Sequence, residues 1–158
     1  LEFVAHHLAL DETDVIHDLL TLLAEQMIDL NKRKQAEVRR FLAWLEGVLQ
    51  ITPDKSGQTG IESLAKKTYL QGYLGDYQKG EPETPVEDFM GWLQDNRKRF
   101  GVSLTAQDSD IRAGYAESLG VLLPIKAQLA TTDALIDQVV YRLYGLTEDE
   151  IAIVEGRA

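Results

Sequence analysis

The apolar residues between Asp14 and Leu49 recur at helical spacing, and this pattern constrains the fold more than any other feature of the chain. At 100° per residue they share one sector, roughly 120° wide, of a helical wheel. We therefore predict one long amphipathic helix, or two collinear ones, of roughly 50 Å at 1.5 Å per residue. The segment Asp11-Glu12-Thr13-Asp14 is the acidic, cap-forming start that such a helix favours. The apolar residues are Ile16, Leu19, Leu20, Leu23, Met27, Leu30, Val38, Phe41, Trp44, Leu45 and Val48.

The apolar face of this helix has a polar gap. From Asn31 to Glu37 only Ala36 is apolar, and Lys34 and Glu37 point toward the core sector. We interpret the gap as a solvated stretch between two packing patches rather than as a break in the helix.

Start and stop signals predict shorter helices after the turn at residues 51–60. Thr59-Gly60-Ile61-Glu62 fits a capping box and predicts a short helix through Lys67–Tyr73. Thr84-Pro85-Val86-Glu87 predicts a helix to about Arg99, with proline at its first position.

The C-terminal third carries further helix signals. Asp108-Ser109-Asp110 starts a helix that Pro124 should kink near Gly120, because proline clashes one turn back. The remaining signals are a cap at Thr132-Asp133 for a further helix, a stop at Gly145 and a capping box at Thr147-Glu148-Asp149-Glu150.

These patterns predict an all-α fold and a single helical domain over residues 1–158. The long helix packs antiparallel against the C-terminal helices, and residues 52–107 are a candidate inserted subregion between them. We expect Leu23, Leu30, Phe41, Leu45 and Val48 to be buried, with partners that include Val139, Val140 and Leu143.

Composition excludes several classes of function. The chain has 158 residues, no Cys and a net charge of −10. Disulfides, thiol catalysis and Cys-ligated metals are therefore excluded, and the acidic balance argues against an autonomous DNA-binding domain. No apolar run approaches the ~20 residues that span a bilayer, so we expect a cytoplasmic protein without a membrane partner.

No motif in the chain predicts catalysis. The Gly-x-Gly-x-x-Gly, Gly-Lys-Ser/Thr and Gly-x-Ser-x-Gly patterns are absent. His17 with Asp14 and Asp18 could offer ligands one turn apart, but a zinc site needs three or four converging ligands. We predict no catalytic, cofactor or metal site in this chain.

One cluster of basic residues is a candidate binding site. Lys32, Arg33, Lys34, Arg39 and Arg40 fall within nine residues of an acidic chain. On a helix Lys32 stacks with Arg39 and Arg33 with Arg40, opposite the apolar sector, where the four could contact the DNA backbone. A solvated helix flank is the alternative interpretation. The second cluster, Arg97-Lys98-Arg99, lies near a predicted helix C-terminus, where cations are favoured in any case.

The C-terminal run has the sequence TDALIDQVVYRLYGLTEDEIAIVE over residues 132–155. It resembles the C-terminus of N6-adenine DNA methyltransferases of bacterial restriction–modification systems, including single-chain fusions of methylase and nuclease. Gln26-Met27-Ile28-Asp29-Leu30-Asn31-Lys32 is similar to the helix that usually precedes that ending. In much of the family a short connection joins the two helices, whereas roughly 100 residues separate them here.

The resemblance implies a non-catalytic helical C-terminal module. The sequence opens at Leu1 without Met, and we expect it to be a fragment of a longer chain. The module would position target-recognition or catalytic domains, and double-stranded DNA would be a second partner. The family's S-adenosylmethionine loop and Asn/Asp-Pro-Pro-Tyr/Phe motif have no counterpart in the sequence. S-adenosylmethionine is thus expected only for the parent enzyme, a type II restriction–modification methyltransferase with or without nuclease activity.

The alternative hypothesis is a protein-interaction or oligomerisation domain unrelated to DNA modification. The acidic surface and the long helix, which could pair between chains, favour it.

Overall fold

A computed structural model describes residues 1–10 and 13–157, and six α-helices account for most of that part of the chain. The described part contains no β-strand, only an isolated bridge between Ile51 and Phe100. The predicted all-α class is therefore confirmed. Asp11 and Glu12, from the predicted helix start, lie outside the described residues. The helices are α1 (Glu2–Ala9), α2 (Thr13–Leu49), α3 (Lys67–Gln71), α4 (Val86–Asp95), α5 (Leu104–Leu143) and α6 (Glu148–Val154), with 3₁₀ turns at Ile61–Ser63 and Arg97–Arg99.

The long amphipathic helix is confirmed as α2, which runs unbroken from Thr13 to Leu49. The polar gap does not interrupt it. Glu37 does point inward as predicted and is buried, whereas Lys34 is half-buried. A carboxylate in such a position needs hydrogen-bond partners, because burying a charge without them is costly.

The second long helix, α5, is longer than predicted. It begins at Leu104 rather than at Asp108, and its first residue is buried. Pro124 lies inside the helix without ending it. The prediction that Thr132-Asp133 caps a separate helix is wrong, because Thr132 is a buried residue within the continuous α5.

Two of the predicted caps fail, whereas one predicted stop and one predicted capping box are confirmed. The 3₁₀ turn after residue 60 starts from Gly60, without a side-chain cap from Thr59, and α3 follows it separately. The N-cap residue of α4 is Pro85 rather than Thr84. The helix ends at Asp95 rather than at about Arg99. Gly145 adopts a left-handed φ of 64°, which ends α5 as glycine readily does. The capping box at Thr147 is present in full and starts α6.

Contacts group the chain into two compact units. The terminal unit comprises Leu1–Asn31 and Gln128–Ala158, and the central unit comprises Lys32–Ala127. Both α2 and α5 contribute residues to each unit. On α2 the boundary follows Asn31, where the predicted polar gap begins.

The central unit is built around an aromatic core. The rings of Phe41, Tyr73, Phe89 and Tyr115 lie with all centroids 4.7 to 6.0 Å apart. Phe41 comes from α2, Phe89 from α4 and Tyr115 from α5. Tyr73 follows α3, so each of these parts of the unit supplies one ring.

In the central unit α2 and α5 run antiparallel, as predicted. Leu45 is fully buried, but Val48 is only half-buried, and the adjacent Leu49 is buried instead. The predicted partners were wrong for this half of α2. Its apolar side chains pack in one cluster with Ile111, Tyr115 and Leu122 rather than with the C-terminal end of α5. Helical periodicity identifies the inward face of a helix but not the segment that covers it.

The terminal unit has a smaller core. Ile16, near the start of α2, packs with Val139, near the end of α5, and with Val4 of α1. Leu143 is half-buried against this cluster, so two of the three predicted C-terminal partners, Val139 and Leu143, pack with the start of α2. The α2 residues of the cluster are Ile16, Leu19 and Leu20 rather than the predicted Leu23 and Leu30. The predicted burial of Leu23 and Leu30 is confirmed.

Candidate functional site

The predicted basic face lies on α2 within the central unit. Lys32, Arg33, Arg39 and Arg40 are all exposed, and their spacing of seven residues places them on one side of the helix. Both members of each stacked pair are therefore present at the surface. Their charges differ, however, in how far neighbouring groups already neutralise them.

Arg40 is already paired. Its Nε and Nη2 atoms donate to the two carboxylate oxygens of Glu37, both at 2.7 Å. The carboxylate of Glu117 on α5 lies 4.0 Å from the same guanidinium. The bond from Arg40 is the main cause that lowers the pKa of Glu37 against the opposing effect of burial. A DNA phosphate would have to compete with this bidentate pair.

Behind Arg40 a chain of hydrogen bonds leads into the core. Ser118 is bonded to the Glu37 carboxylate, and its Oγ lies 2.7 Å from the hydroxyl of Tyr73. Either hydroxyl of the Ser118–Tyr73 pair can be the donor. The surface pair is thus fixed by the buried centre of the central unit.

This hydrogen-bonded chain is structural in character. Tyr73 is fully buried, and burial raises the pKa of its hydroxyl to about 12. At neutral pH it stays protonated and cannot act as a nucleophile. The sequence offered no signal for this chain, since Tyr73 and Ser118 are 45 residues apart and neither belongs to a recognisable motif.

Lys32 and Arg39 differ from Arg40. Within residues 1–10 and 13–157 neither side chain forms a recorded ion pair, whereas Arg33 makes an interaction inside the chain. Lys32 and Arg39 are therefore the two positions where an added anion meets the least competition.

The second basic cluster is used for internal structure. The Arg99 guanidinium donates to the carbonyl of Thr52 at 2.6 Å and to the carbonyl and hydroxyl of Ser63, both at 3.0 Å. Arg97 donates to the carbonyl of Gln94. These bonds tie together segments that carry little regular structure.

The described part of the chain, residues 1–10 and 13–157, offers no cluster of metal-ligating side chains. No three His, Cys, Asp or Glu residues converge there on a position that could hold a metal ion. Every buried side-chain nitrogen or oxygen in the same residues has a hydrogen-bond partner. Even the half-buried Lys126 donates to two backbone carbonyls, those of Leu74 at 2.7 Å and Glu81 at 2.6 Å.

By length and composition alone, α5 is apolar enough to cross a bilayer. The same helix contributes Ile111, Tyr115 and Leu122 to the core of the central unit. Core helices of soluble proteins meet the same criterion, so this property is weak evidence for a membrane span.

A second feature is the uneven distribution of exposed apolar side chains between the two units. Among the described residues, eleven large apolar side chains are exposed, and nine of them belong to the terminal unit. The central unit contributes only Tyr69 and Val121. Exposed apolar side chains mark a site of protein association where they form a contiguous patch. The nine residues are Leu1, Phe3, Leu10, Leu22, Ile28, Leu135, Tyr144, Ile153 and Val154.

Comparison with family models, with curated proteins and with solved structures finds no match to this chain. The resemblance of residues 132–155 to the methyltransferase ending therefore stays a prediction.

Proposed function

We propose that this chain is a non-catalytic helical module of a DNA adenine methyltransferase or restriction–modification enzyme. Its terminal unit would dock against the other domains of the enzyme. Its central unit would be an inserted helical body that places a basic face near the DNA backbone.

One observation carries the proposal. The two segments that resemble the methyltransferase ending, Gln26–Lys32 and 132–155, belong to the terminal unit except for Lys32 itself. The residues without resemblance form most of the central unit, a separate compact body with its own core. That division is expected if an insertion separates two helices that are otherwise joined by a short connection.

The exposed apolar side chains support the docking role of the terminal unit. Nine of them lie on a unit whose own core cluster has only three buried members, Val4, Ile16 and Val139. A partner domain that covers them would remove apolar surface from water, at roughly 25 cal/mol per Å².

The proposal excludes turnover by the chain itself, and calorimetry with S-adenosylmethionine tests this. We expect no binding heat from the isolated chain. Stoichiometric binding at micromolar affinity would contradict the proposal, because the module would then contain a cofactor site.

The DNA contact is tested by the salt dependence of binding in the full-length enzyme. Arg39→Ala should lower the slope of log K against log salt by about 0.9, the value for one lost phosphate contact. Arg40→Ala is the matched comparison on the same helix and should change the slope less, because Glu37 already neutralises that guanidinium. Sequence preference should be unchanged in both variants, since backbone contacts do not read bases. Equal slopes for wild type and Arg39→Ala would leave the basic face as a solvated helix flank.

The exposed apolar side chains also favour one alternative, a homo-oligomerisation domain. Light scattering distinguishes the two. A tight dimer at low micromolar concentration would favour oligomerisation, whereas a monomer with exposed apolar surface fits a docking module.

A further inference from the structure

The outward face of α2 in the terminal unit carries two large apolar side chains. Leu22 is 61% exposed and Ile28 is 55% exposed, whereas Leu23 and Leu30 of the same helix are buried. At 100° per residue, a sector of roughly 120° contains both exposed side chains and neither of the buried ones. Glu25 lies between the two, three residues from each. Leu22 and Ile28 are therefore the two edges of one helix face.

Carboxylates occupy the rest of this face. The residues Asp14, Asp18, Leu22, Glu25 and Ile28 follow one another at intervals of three or four, so each is the surface neighbour of the next. We call these five residues the outer ridge of α2. Its three carboxylates are exposed and form no recorded ion pair within residues 1–10 and 13–157. The outer ridge is thus a contiguous surface in which apolar and acidic side chains are interleaved.

The negative charge of the chain belongs to the terminal unit. That unit has thirteen Asp and Glu residues against two basic residues, Arg142 and Arg157, whereas the central unit has thirteen acidic and fourteen basic residues. Both arginines of the terminal unit are engaged, Arg142 with the carbonyl of Leu1 and Arg157 with the carboxylate of Glu155. The terminal unit therefore supplies no cation of its own for the outer ridge.

These charges decide which partner the outer ridge can bind. Phosphates are repelled, and no three metal ligands converge in the described part of the chain. A second copy that presented its own outer ridge would bring like charges together, which is costly at an interface. A protein surface with Lys or Arg beside apolar residues would neutralise the carboxylates and cover Leu22 and Ile28 at the same time.

We propose that the outer ridge of α2 binds a cationic amphipathic helix of a partner domain. A ridge of side chains three and four residues apart packs into the groove of a second helix. Apolar residues of the partner would contact Leu22 and Ile28, and its Lys or Arg residues would pair with Asp18 and Glu25. The inference rests on the proposed function only in assigning that helix to another domain of the same enzyme.

The first test is calorimetry on the whole chain at roughly physiological salt, where attraction between distant exposed charges is screened. The probe is a synthetic amphipathic helical peptide of Leu and Lys. Two control peptides replace its Leu by Ser or its Lys by Glu. We expect one Leu/Lys peptide to bind per chain, at least about tenfold weaker binding of the Lys/Ser peptide, and no binding of the Leu/Glu peptide. No binding of the Leu/Lys peptide, or equal affinity for the Lys/Ser peptide, would overturn the inference.

The second test removes the apolar part of the outer ridge. Leu22→Gln combined with Ile28→Gln should weaken binding of the Leu/Lys peptide at least about tenfold, because the contact then removes less apolar surface from water. The matched control is Tyr69→Gln with Val121→Gln, which changes the exposed large apolar side chains described in the central unit. The control should change the affinity by less than about twofold, since these residues lie outside the contact. Equal weakening by both pairs would contradict the location of the surface.

The third test removes two of its carboxylates. Asp18→Asn combined with Glu25→Gln should weaken binding of the Leu/Lys peptide at least about fivefold, because each lost ion pair lowers the affinity. The matched control is Glu148→Gln with Asp149→Asn, an exposed pair on α6 of the same unit with the same loss of charge. Equal weakening by both pairs would show attraction to net charge alone and would overturn the inference.

The outcomes separate this inference from the proposed function. Stoichiometric binding of S-adenosylmethionine by a chain that still binds the Leu/Lys peptide would contradict the proposed function and leave the outer ridge as a binding surface. Failure of the peptide to bind would remove the partner helix and leave the proposed module to its own tests. A dimer of the wild-type chain that Leu22→Gln with Ile28→Gln abolishes in sedimentation would assign the outer ridge to a second copy and overturn the inference.

Discussion

The central and terminal units use the same two long helices, α2 and α5, with different results. In the central unit α4 and the segments around α3 cover the apolar faces of these helices and complete an aromatic core. In the terminal unit α1 packs on them, and nine large apolar side chains stay exposed. An amphipathic helix pair therefore does not by itself determine how much apolar surface is buried. The elements that pack on the pair decide whether a unit is complete alone or suited to a partner.

The largest expected difference between the units concerns truncation of leucine on α2. Leu45 is fully buried in the central unit, so Leu45→Ala should lower the free energy of unfolding by about 2–5 kcal/mol. Leu22 in the terminal unit is 61% exposed, and Leu22→Ala should lower it by less than about 0.5 kcal/mol. Urea unfolding monitored by circular dichroism gives both values. Similar losses would mean that Leu22 is covered by self-association, which a dependence of unfolding on protein concentration would reveal.

A smaller difference is expected for the arginines of the two units. Arg40→Ala leaves the buried Glu37 carboxylate without its bidentate partner and should destabilise the central unit by about 1–3 kcal/mol. Arg142 in the terminal unit donates to the exposed carbonyl of Leu1, which water can satisfy instead. Arg142→Ala should therefore change stability by less than about 1 kcal/mol. A larger loss of stability for Arg142→Ala than for Arg40→Ala would contradict this prediction.

The sequence predicted what local periodicity and turn chemistry determine. The bounds of α2, the inward position of Glu37, the stop at Gly145 and the capping box at Thr147 all follow from residues close together in the chain. The basic face also follows, because four side chains on one helix keep their relative positions whatever packs opposite.

The rest depended on contacts between distant residues. Thr132 and Asp133 are residue types that commonly cap helices, yet Thr132 is buried within α5, where tertiary packing outweighs the local signal. The bonds among Glu37, Ser118 and Tyr73 join three segments that no pattern relates. The neutralisation of Arg40 could not be foreseen for the same reason, since it needs the burial of Glu37 and the approach of α5.

The pH dependence of stability should have opposite signs for two acids, one in each unit. Hydrogen bonding to Arg40 lowers the pKa of Glu37, so its stabilising effect is present above its ordinary pKa of 4.5 and is lost as the pH falls through the lowered value. Glu37→Gln should be destabilising at pH 7, and its difference from wild type should shrink below pH 4.5.

Asp137 in the terminal unit should behave in the opposite way. Partial burial, with Asp133 and Glu155 nearby, raises its pKa above 3.8, so its ionised form destabilises the folded state. Asp137→Asn should stabilise the protein by a few tenths of a kcal/mol at pH 7, because the group is exposed enough for solvent to screen it. This gain should vanish as the pH falls through the raised pKa, and urea unfolding between pH 7 and pH 3.5 measures it. A gain that grows on acidification would contradict the assignment.

Hydrogen–deuterium exchange of the whole chain tests the central claim most directly, since it reports on both units in one sample. We propose that the central unit is complete on its own and that the terminal unit depends on a partner. Amides in residues 38–49 and 111–123 should then exchange at least about tenfold more slowly than those in residues 16–30 and 129–143 of the same two helices. Equal protection of the two sets, or slower exchange in the terminal unit, would contradict the account.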